Sequence, residues 1–310
     1  MSAQTRSEDA AARRAALARR LRSKTFTAIP GCFDMISARI ADAMDFPALY
    51  MTGYGVVASH LGLPDAGLAT YSDMVGRVER IAANARTPLL ADGDTGYGGL
   101  LNVQHTVRGY ERAGAAGIQL EDQVFPKKCG HTPGRQVVPL EEMTAKLRVA
   151  VETRDSSDFL IIARTDARGL YGLDEALRRA DAFAKAGADI LFVEAPESRE
   201  EMERICRSFD LPLLANQVEG GTTPVMSAAE LRELGYTIGL FPTLGFLAMG
   251  AAVREAYRHL REHGSSAGLA APLYDFREFS LLMGFQEVWD FEKTWAGADM
   301  KDMKEDGDGR

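Results

Sequence analysis

Cysteine is scarce in this sequence, with Cys32, Cys129 and Cys206 the only three. An odd number at these spacings forms neither a disulfide framework nor a zinc pattern. A reducing, cytoplasmic setting is therefore the expectation. Long apolar runs are also missing. None approaches the roughly 20 residues of a membrane span, so no membrane partner is expected. An excess of basic charge is missing too. The formal net charge is −8 and the Lys and Arg residues are scattered, which argues against a nucleic-acid partner. An acidic protein that takes acidic substrates must gather positive charge locally, through a metal or a few Arg and Lys. Neither a Gly-x-Gly-x-x-Gly nor a Walker motif occurs, which removes two common phosphate cradles. The stretch Ser7 to Arg22 is rich in Ala and Arg but lacks the apolar core of a secretory signal. Glu8 and Asp9 argue against a transit peptide, so residues 1–24 are expected to form an amphipathic helix.

What the sequence does contain is a repeat of short apolar runs, each followed by a helical stretch. Examples are Pro88-Leu89-Leu90-Ala91, Gly117-Ile118-Gln119-Leu120, Phe159-Leu160-Ile161-Ile162-Ala163 and Pro212-Leu213-Leu214-Ala215. Continuous apolar runs are what strands buried on both faces look like. Helical patterns lie between them, at Asp73–Asn84, Leu101–Ala113, Leu140–Thr153, Leu173–Ala186 and Ala228–Leu234. Gly114, Gly187 and Gly235 are placed to end helices with a left-handed cap. Eight such units predict an α/β fold, a (β/α)8 TIM barrel over residues 25–263. After Ala251 a helix is expected to run to about His263. The segment 264–296 carries Phe279, Leu282, Phe285, Val288, Trp289 and Phe291, too apolar to be free, so it must pack on something. The charged, Gly-rich tail 297–310 reads as disordered.

Polar residues fall where such a barrel places its chemistry, at the C-terminal ends of strands. Asp92 and Asp94 stand on a glycine-rich turn, and Glu121 ends the next strand. Three acids there suit Mg²⁺, with Mn²⁺ as the alternative, because Mg²⁺ takes oxygen ligands and few direct carboxylates. The plainer reading is an Asp-x-Asp turn capping a helix. Lys127-Lys128-Cys129-Gly130-His131 surrounds a thiol with two lysines and a histidine, which favours thiolate or easy proton donation. Its plainer reading is a surface thiol in a basic loop. The patternless stretch from Phe125 to Val138 has the character of a lid. Arg164 offers a guanidinium for a carboxylate, or else a barrel-mouth salt bridge. Thr52-Gly53-Tyr54 offers backbone N–H groups and a hydroxyl, or an ordinary turn. Glu194 and Asn216 suit ligand contacts or support for them. Cys32 and Cys206 read as buried thiols.

Together, Tyr50-Met51-Thr52-Gly53, Leu63-Pro64-Asp65, Asp92-Gly93-Asp94-Thr95-Gly96-Tyr97-Gly98, Glu121-Asp122-Gln123, Lys127-Lys128-Cys129-Gly130-His131, Ala163-Arg164-Thr165-Asp166-Ala167, Val193-Glu194-Ala195-Pro196 and Ala215-Asn216 resemble the isocitrate lyase / phosphoenolpyruvate mutase superfamily. All occur in family order between roughly Phe26 and Ala296. The resemblance implies a barrel whose C-terminal helix is swapped between subunits, which gives 264–296 its packing partner. It further implies a homotetramer, Mg²⁺ at Asp92, Asp94 and Glu121, and a mobile lid carrying Cys129 as proton donor. Lys127 and His131 would tune that thiol, and Tyr50 would act as base. Thr52, Gly53, Tyr54, Asp65, Gly130, Arg164, Glu194 and Asn216 would bind substrate.

Within that superfamily the Lys-Lys-Cys-Gly-His loop resembles the carbon–carbon lyases, not the phosphoenolpyruvate mutases. Methylisocitrate lyases carry an Arg for a third carboxylate where this chain has Leu247. A buried unpaired carboxylate costs on the order of several kcal/mol, so a smaller substrate is implied. The oxaloacetate hydrolase branch carries a Ser where this chain has Pro242. The resemblance therefore implies a 2,3-dimethylmalate lyase-type enzyme cleaving a 2-hydroxy dicarboxylate by retro-aldol chemistry. Methylisocitrate lyase, oxaloacetate decarboxylase or hydrolase, a phosphonate-related mutase and a non-catalytic dicarboxylate-binding barrel are the alternatives.

Overall fold

The computed structural model describes residues 3–130, 132 and 134–296, with the backbone alone for 3–9. The tuning role expected of His131 and the disorder expected of the tail 297–310 lie outside the described residues. The chain divides into two compact units at Gly250–Ala251.

The first unit is a closed barrel of parallel strands. They are β1 (Thr27–Cys32), β2 (Leu49–Met51), β3 (Leu89–Asp92), β4 (Gly117–Glu121), β5 (Leu160–Thr165), β6 (Ile190–Val193), β7 (Leu213–Asn216) and β8 (Ile238–Phe241). Closure is direct: Thr27 of β1 registers with Ile238 of β8, and Pro30 with Phe241. The apolar runs explain why both strand faces are buried. Alternate residues go inward and outward. In β5, Leu160 and Ile162 join one buried cluster while Ile161 and Ala163 join the other. The inner cluster also holds Ile29, Leu90, Ile190, Phe192, Leu214 and Leu240. Leu17, Ala18 and Leu21 of the N-terminal helix Ala3–Arg22 belong to that same inner cluster. The helix thus plugs the end of the barrel that carries no chemistry. Full burial of each such Leu stabilises the fold by roughly 1.5–3 kcal/mol.

Local signals place the helices. Gly114, Gly187 and Gly235 have φ of 96°, 100° and 108°, the left-handed caps their positions predicted. Two starts differ from expectation. Helix Tyr71–Asn84 begins ahead of Asp73 because Thr70 is its N-cap and Asp73 closes the capping box. Helix Leu244–His263 begins well before Ala251. Gly245 and Gly250 lower its intrinsic propensity by about 1 kcal/mol each, which hides it from the pattern. Packing restores it, since Phe246 lies edge-on to Phe33 at 6.0 Å and against Tyr54 at 5.2 Å.

The second unit carries the rest of that helix and two more, Phe276–Leu282 and Phe285–Trp295. Neither of these two has a buried residue, and Phe276 is 84% exposed. No described helix is long and apolar enough to cross a membrane.

Candidate active site

The strand ends open into a cavity of about 260 Å³. Its floor is built from side chains that share one face of neighbouring strands. Asp92 of β3 registers with Gln119 of β4, and Glu121 of β4 registers with Arg164 of β5. Gln119 is fully buried and ties the floor together. Its Nε2 donates to Asp92 Oδ1 at 3.1 Å and to Glu121 Oε2 at 3.3 Å. Its Oε1 accepts from the Tyr50 hydroxyl at 2.5 Å. Burial, and then Asp92, push the Tyr50 phenol well above its usual value. In this resting arrangement the Tyr50 hydroxyl donates to Gln119.

Arg164 is also more occupied than expected. Asp166 grips Nε and Nη2, each at 2.9 Å, and Glu194 shares Nη2 at 3.2 Å. Glu121 Oε2 lies 3.5 Å from Nε. The Nε and Nη2 face of the fork is thus taken by the protein's own carboxylates. Asp166 in turn takes Arg135 at 2.8 Å. Although burial would raise it, Arg164 and Arg135 hold the Asp166 carboxyl below the usual range. Burial pushes Glu121 well above its usual value, opposed by Arg164. Asn216 donates through Nδ2 to both oxygens of Glu194 at 3.2 Å.

The segment after β4 returns over this floor. Its base is closed by an antiparallel bridge between Gln123 and Val137, and Gln123 holds both the amide and the carbonyl of Lys128. The Lys127 ammonium lies 2.6 Å from Asp65 and 2.6 Å from Asp94. Burial works against its charge, yet Asp94 and Asp65 hold the ammonium well above its usual value. Lys127 is therefore a latch between two loops. Asp65 holds the segment a second time, since its carbonyl accepts from the Cys129 amide at 3.1 Å. These contacts give Asp65 a holding role, and it also lines the cavity. Cys129, half-buried, lines the cavity. Gly130 is pressed so close that a Cβ there would lie 2.1 Å from Glu194 Oε1 and 2.2 Å from Arg164 Nη2. Only glycine fits that approach.

Thr52 and Tyr54 line the cavity. Gly53 does not offer its amide freely, because Asp92 Oδ2 accepts from it at 3.3 Å. Val218, Leu240, Pro242, Phe246 and Leu247 add apolar lining to the cavity. Within it Thr243 donates to Glu219 at 2.6 Å. Cys32 is buried and burial pushes its thiol up to about 12. Cys206 is only partly buried, against expectation.

The three acids do not converge as a cage. Among the described residues no group of three His, Cys, Asp or Glu is arranged to hold a metal ion. Asp94 sets Oδ1 against Lys127, and burial pushes its own value up to about 7. On each of the other two acids one oxygen stands open. Glu121 Oε1 is buried without a hydrogen bond, and Asp92 Oδ2 has only the long contact from Gly53. Mg²⁺ binds through one or two carboxylates plus water and substrate, so Asp92 and Glu121 fit it.

Sequence reasoning missed Gln119 and the Arg164–Asp166 grip. The first had a signal, a lone polar residue inside an apolar run. The second had one in strand parity, since residues two apart share a face.

A family model described as phosphoenolpyruvate phosphomutase matches residues 17–261. The chain is 47% identical to 2,3-dimethylmalate lyase of Eubacterium barkeri over 89% of this chain and 96% of that protein. It is 42% identical to 2-methylisocitrate lyase of Aeropyrum pernix, over 88% of this chain and 86% of that protein. Oxaloacetate acetylhydrolase, solved with 3,3-difluorooxalacetate, superposes with a TM-score of 0.85 at 37% identity, covering 90% of this chain and 96% of that one.

Proposed function

The chain belongs to the phosphoenolpyruvate phosphomutase family, within the PEP mutase/isocitrate lyase superfamily, and from that premise we propose that it is a carbon–carbon lyase. Its substrate would be a 2-hydroxy dicarboxylate of the 2,3-dimethylmalate or 2-alkylmalate kind, cleaved to pyruvate and a short carboxylic acid. The observation that carries the reading is the split character of the cavity. Its lining combines the carboxylates of Asp92 and Glu121 with the apolar side chains of Pro242, Phe246 and Leu247. Leu247 offers nothing to a third carboxylate, whereas an alkyl group is at home there.

Asp92 and Glu121 would hold Mg²⁺ or Mn²⁺, and the bound cation would supply Lewis-acid stabilisation of a developing ketone oxygen. Thr52, Tyr54 and Nη1 of Arg164 would receive the carboxylate beside the hydroxyl carbon. Tyr50, made acidic beside the cation site, would take the proton of the 2-hydroxyl as its phenolate; the bond between carbons 2 and 3 breaks, and its electron pair passes to the second carboxylate as an enediolate. Cys129 then gives its thiol proton to carbon 3, which yields propionate when the substrate is 2,3-dimethylmalate. The latch at Lys127 would keep the segment closed so that water does not protonate the fragment first.

The likeness to oxaloacetate acetylhydrolase supports a second reading, action on oxaloacetate. Pro242 weakens it, having no hydroxyl for a hydrated ketone. A panel of 2,3-dimethylmalate, 2-methylisocitrate and oxaloacetate, followed by pyruvate and oxalate release, tests both. Pyruvate from 2,3-dimethylmalate alone is the expected result, and turnover of oxaloacetate alone would overturn it. The exposed aromatics of Phe276–Leu282 and Phe285–Trp295 support a homotetramer in which these helices exchange between subunits. A cytoplasmic location accords with three cysteines that form no disulfide.

A further inference from the structure

The orientation of one buried amide decides which atoms the cavity floor shows to a ligand. Gln119 has no solvent access, and its three partners leave no choice of orientation. Asp92 Oδ1 and Glu121 Oε2 are carboxylate oxygens, so the atom facing them must be the NH₂ that donates to both. The carbonyl oxygen then faces Tyr50, and the phenol must donate to it. Turning the amide over would set its oxygen against two carboxylates and its NH₂ against a hydroxyl.

We propose that Gln119 is a positioning residue that sets the polarity of the floor. It takes the Tyr50 proton out of the cavity. It also holds one oxygen of each acid, so that Asp92 Oδ2, Glu121 Oε1 and the lone pairs of Tyr50 remain as acceptors. Such a floor welcomes a hydrated divalent cation and a ligand hydroxyl, both rich in donors or positive charge. It is hostile to a bare carboxylate. This assignment rests on the cation reading above, but its test is read on the resting protein.

The test is Mn²⁺ titration of the full chain without substrate, following the paramagnetic resonance of free Mn²⁺. Gln119→Met keeps the volume and removes every polar contact, and is expected to weaken Mn²⁺ binding about tenfold or more, the usual size of such supporting effects. Gln119→His, neutral, can donate from one nitrogen and accept from the other, and is expected to stay within about threefold of wild type. A folded Gln119→Met that binds like wild type would mean the side chain only fills space, and the proposal falls. Equal weakening in both variants overturns it too. Should Gln119→Met fail to fold, the His variant decides by the same limits. Wild-type protein with no measurable cation site would overturn the cation reading and this one together, and that outcome is distinguishable from failure of the variants alone.

Discussion

Gly130 is the place where one methyl group should separate folding from turnover. In Gly130→Ala the new Cβ meets Glu194 Oε1 at 2.1 Å and Arg164 Nη2 at 2.2 Å. Neither neighbour can yield. Arg164 is gripped twice by Asp166, and Glu194 takes two bonds from Asn216. The main chain must therefore rise, by about 1 Å to restore an ordinary contact. Cys129 rises with it. A misplacement of that size costs about 10²-fold in rate, or about 2.7 kcal/mol of barrier. The barrel loses little, because the strain relaxes by lifting a half-buried segment held by Lys127 and Asp65. The assay is kcat/KM for pyruvate release from 2,3-dimethylmalate, coupled to lactate dehydrogenase, beside a thermal melt. We expect turnover to fall about 10²-fold while the melting midpoint barely moves. Turnover within about threefold of wild type would refute the claim that this approach positions the thiol.

Cys129→Ser should retain Mn²⁺ and pyruvate binding by calorimetry but lose about 10²–10⁴-fold in cleavage; near-wild-type turnover would sink the acid role. Leu247→Arg places a guanidinium on the apolar wall, and should tighten inhibition by a tricarboxylate about tenfold or more while slowing 2,3-dimethylmalate turnover. Unchanged discrimination would show that this wall does not read the substituent. Leu21→Ala removes a fully buried side chain of the N-terminal plug and should destabilise by about 2–5 kcal/mol in urea unfolding. An unmoved midpoint would mean the helix contributes nothing to the inner cluster.

The barrel was legible because its strands are buried on both faces. Runs such as Phe159–Ala163 have few other uses where no described helix is long and apolar enough to cross a membrane. The residues at the strand ends were legible for the same reason, since a polar residue closing an apolar run has one mouth to face. The partners were harder. Lys127 meets Asp65 and Asp94 from two other loops, and no periodicity links those three positions. Asp94 was legible as an acid of the site, but spacing could not show that its Oδ1 meets Lys127. The Tyr50–Gln119 pair was hidden because nothing in sequence links the two positions. The helix from Leu244 was obscured by Gly245 and Gly250, whose penalty only tertiary packing overrides.

The plug formed by Leu17, Ala18 and Leu21 makes the barrel a cup and not a pipe. For the proposed reaction, two fragments must then leave by the one mouth through which the substrate came. The fragment beneath Cys129 blocks the other, so departure runs in single file: the short acid first, pyruvate after it. An ordered release leaves a kinetic signature, with pyruvate competing against substrate and the short acid inhibiting noncompetitively.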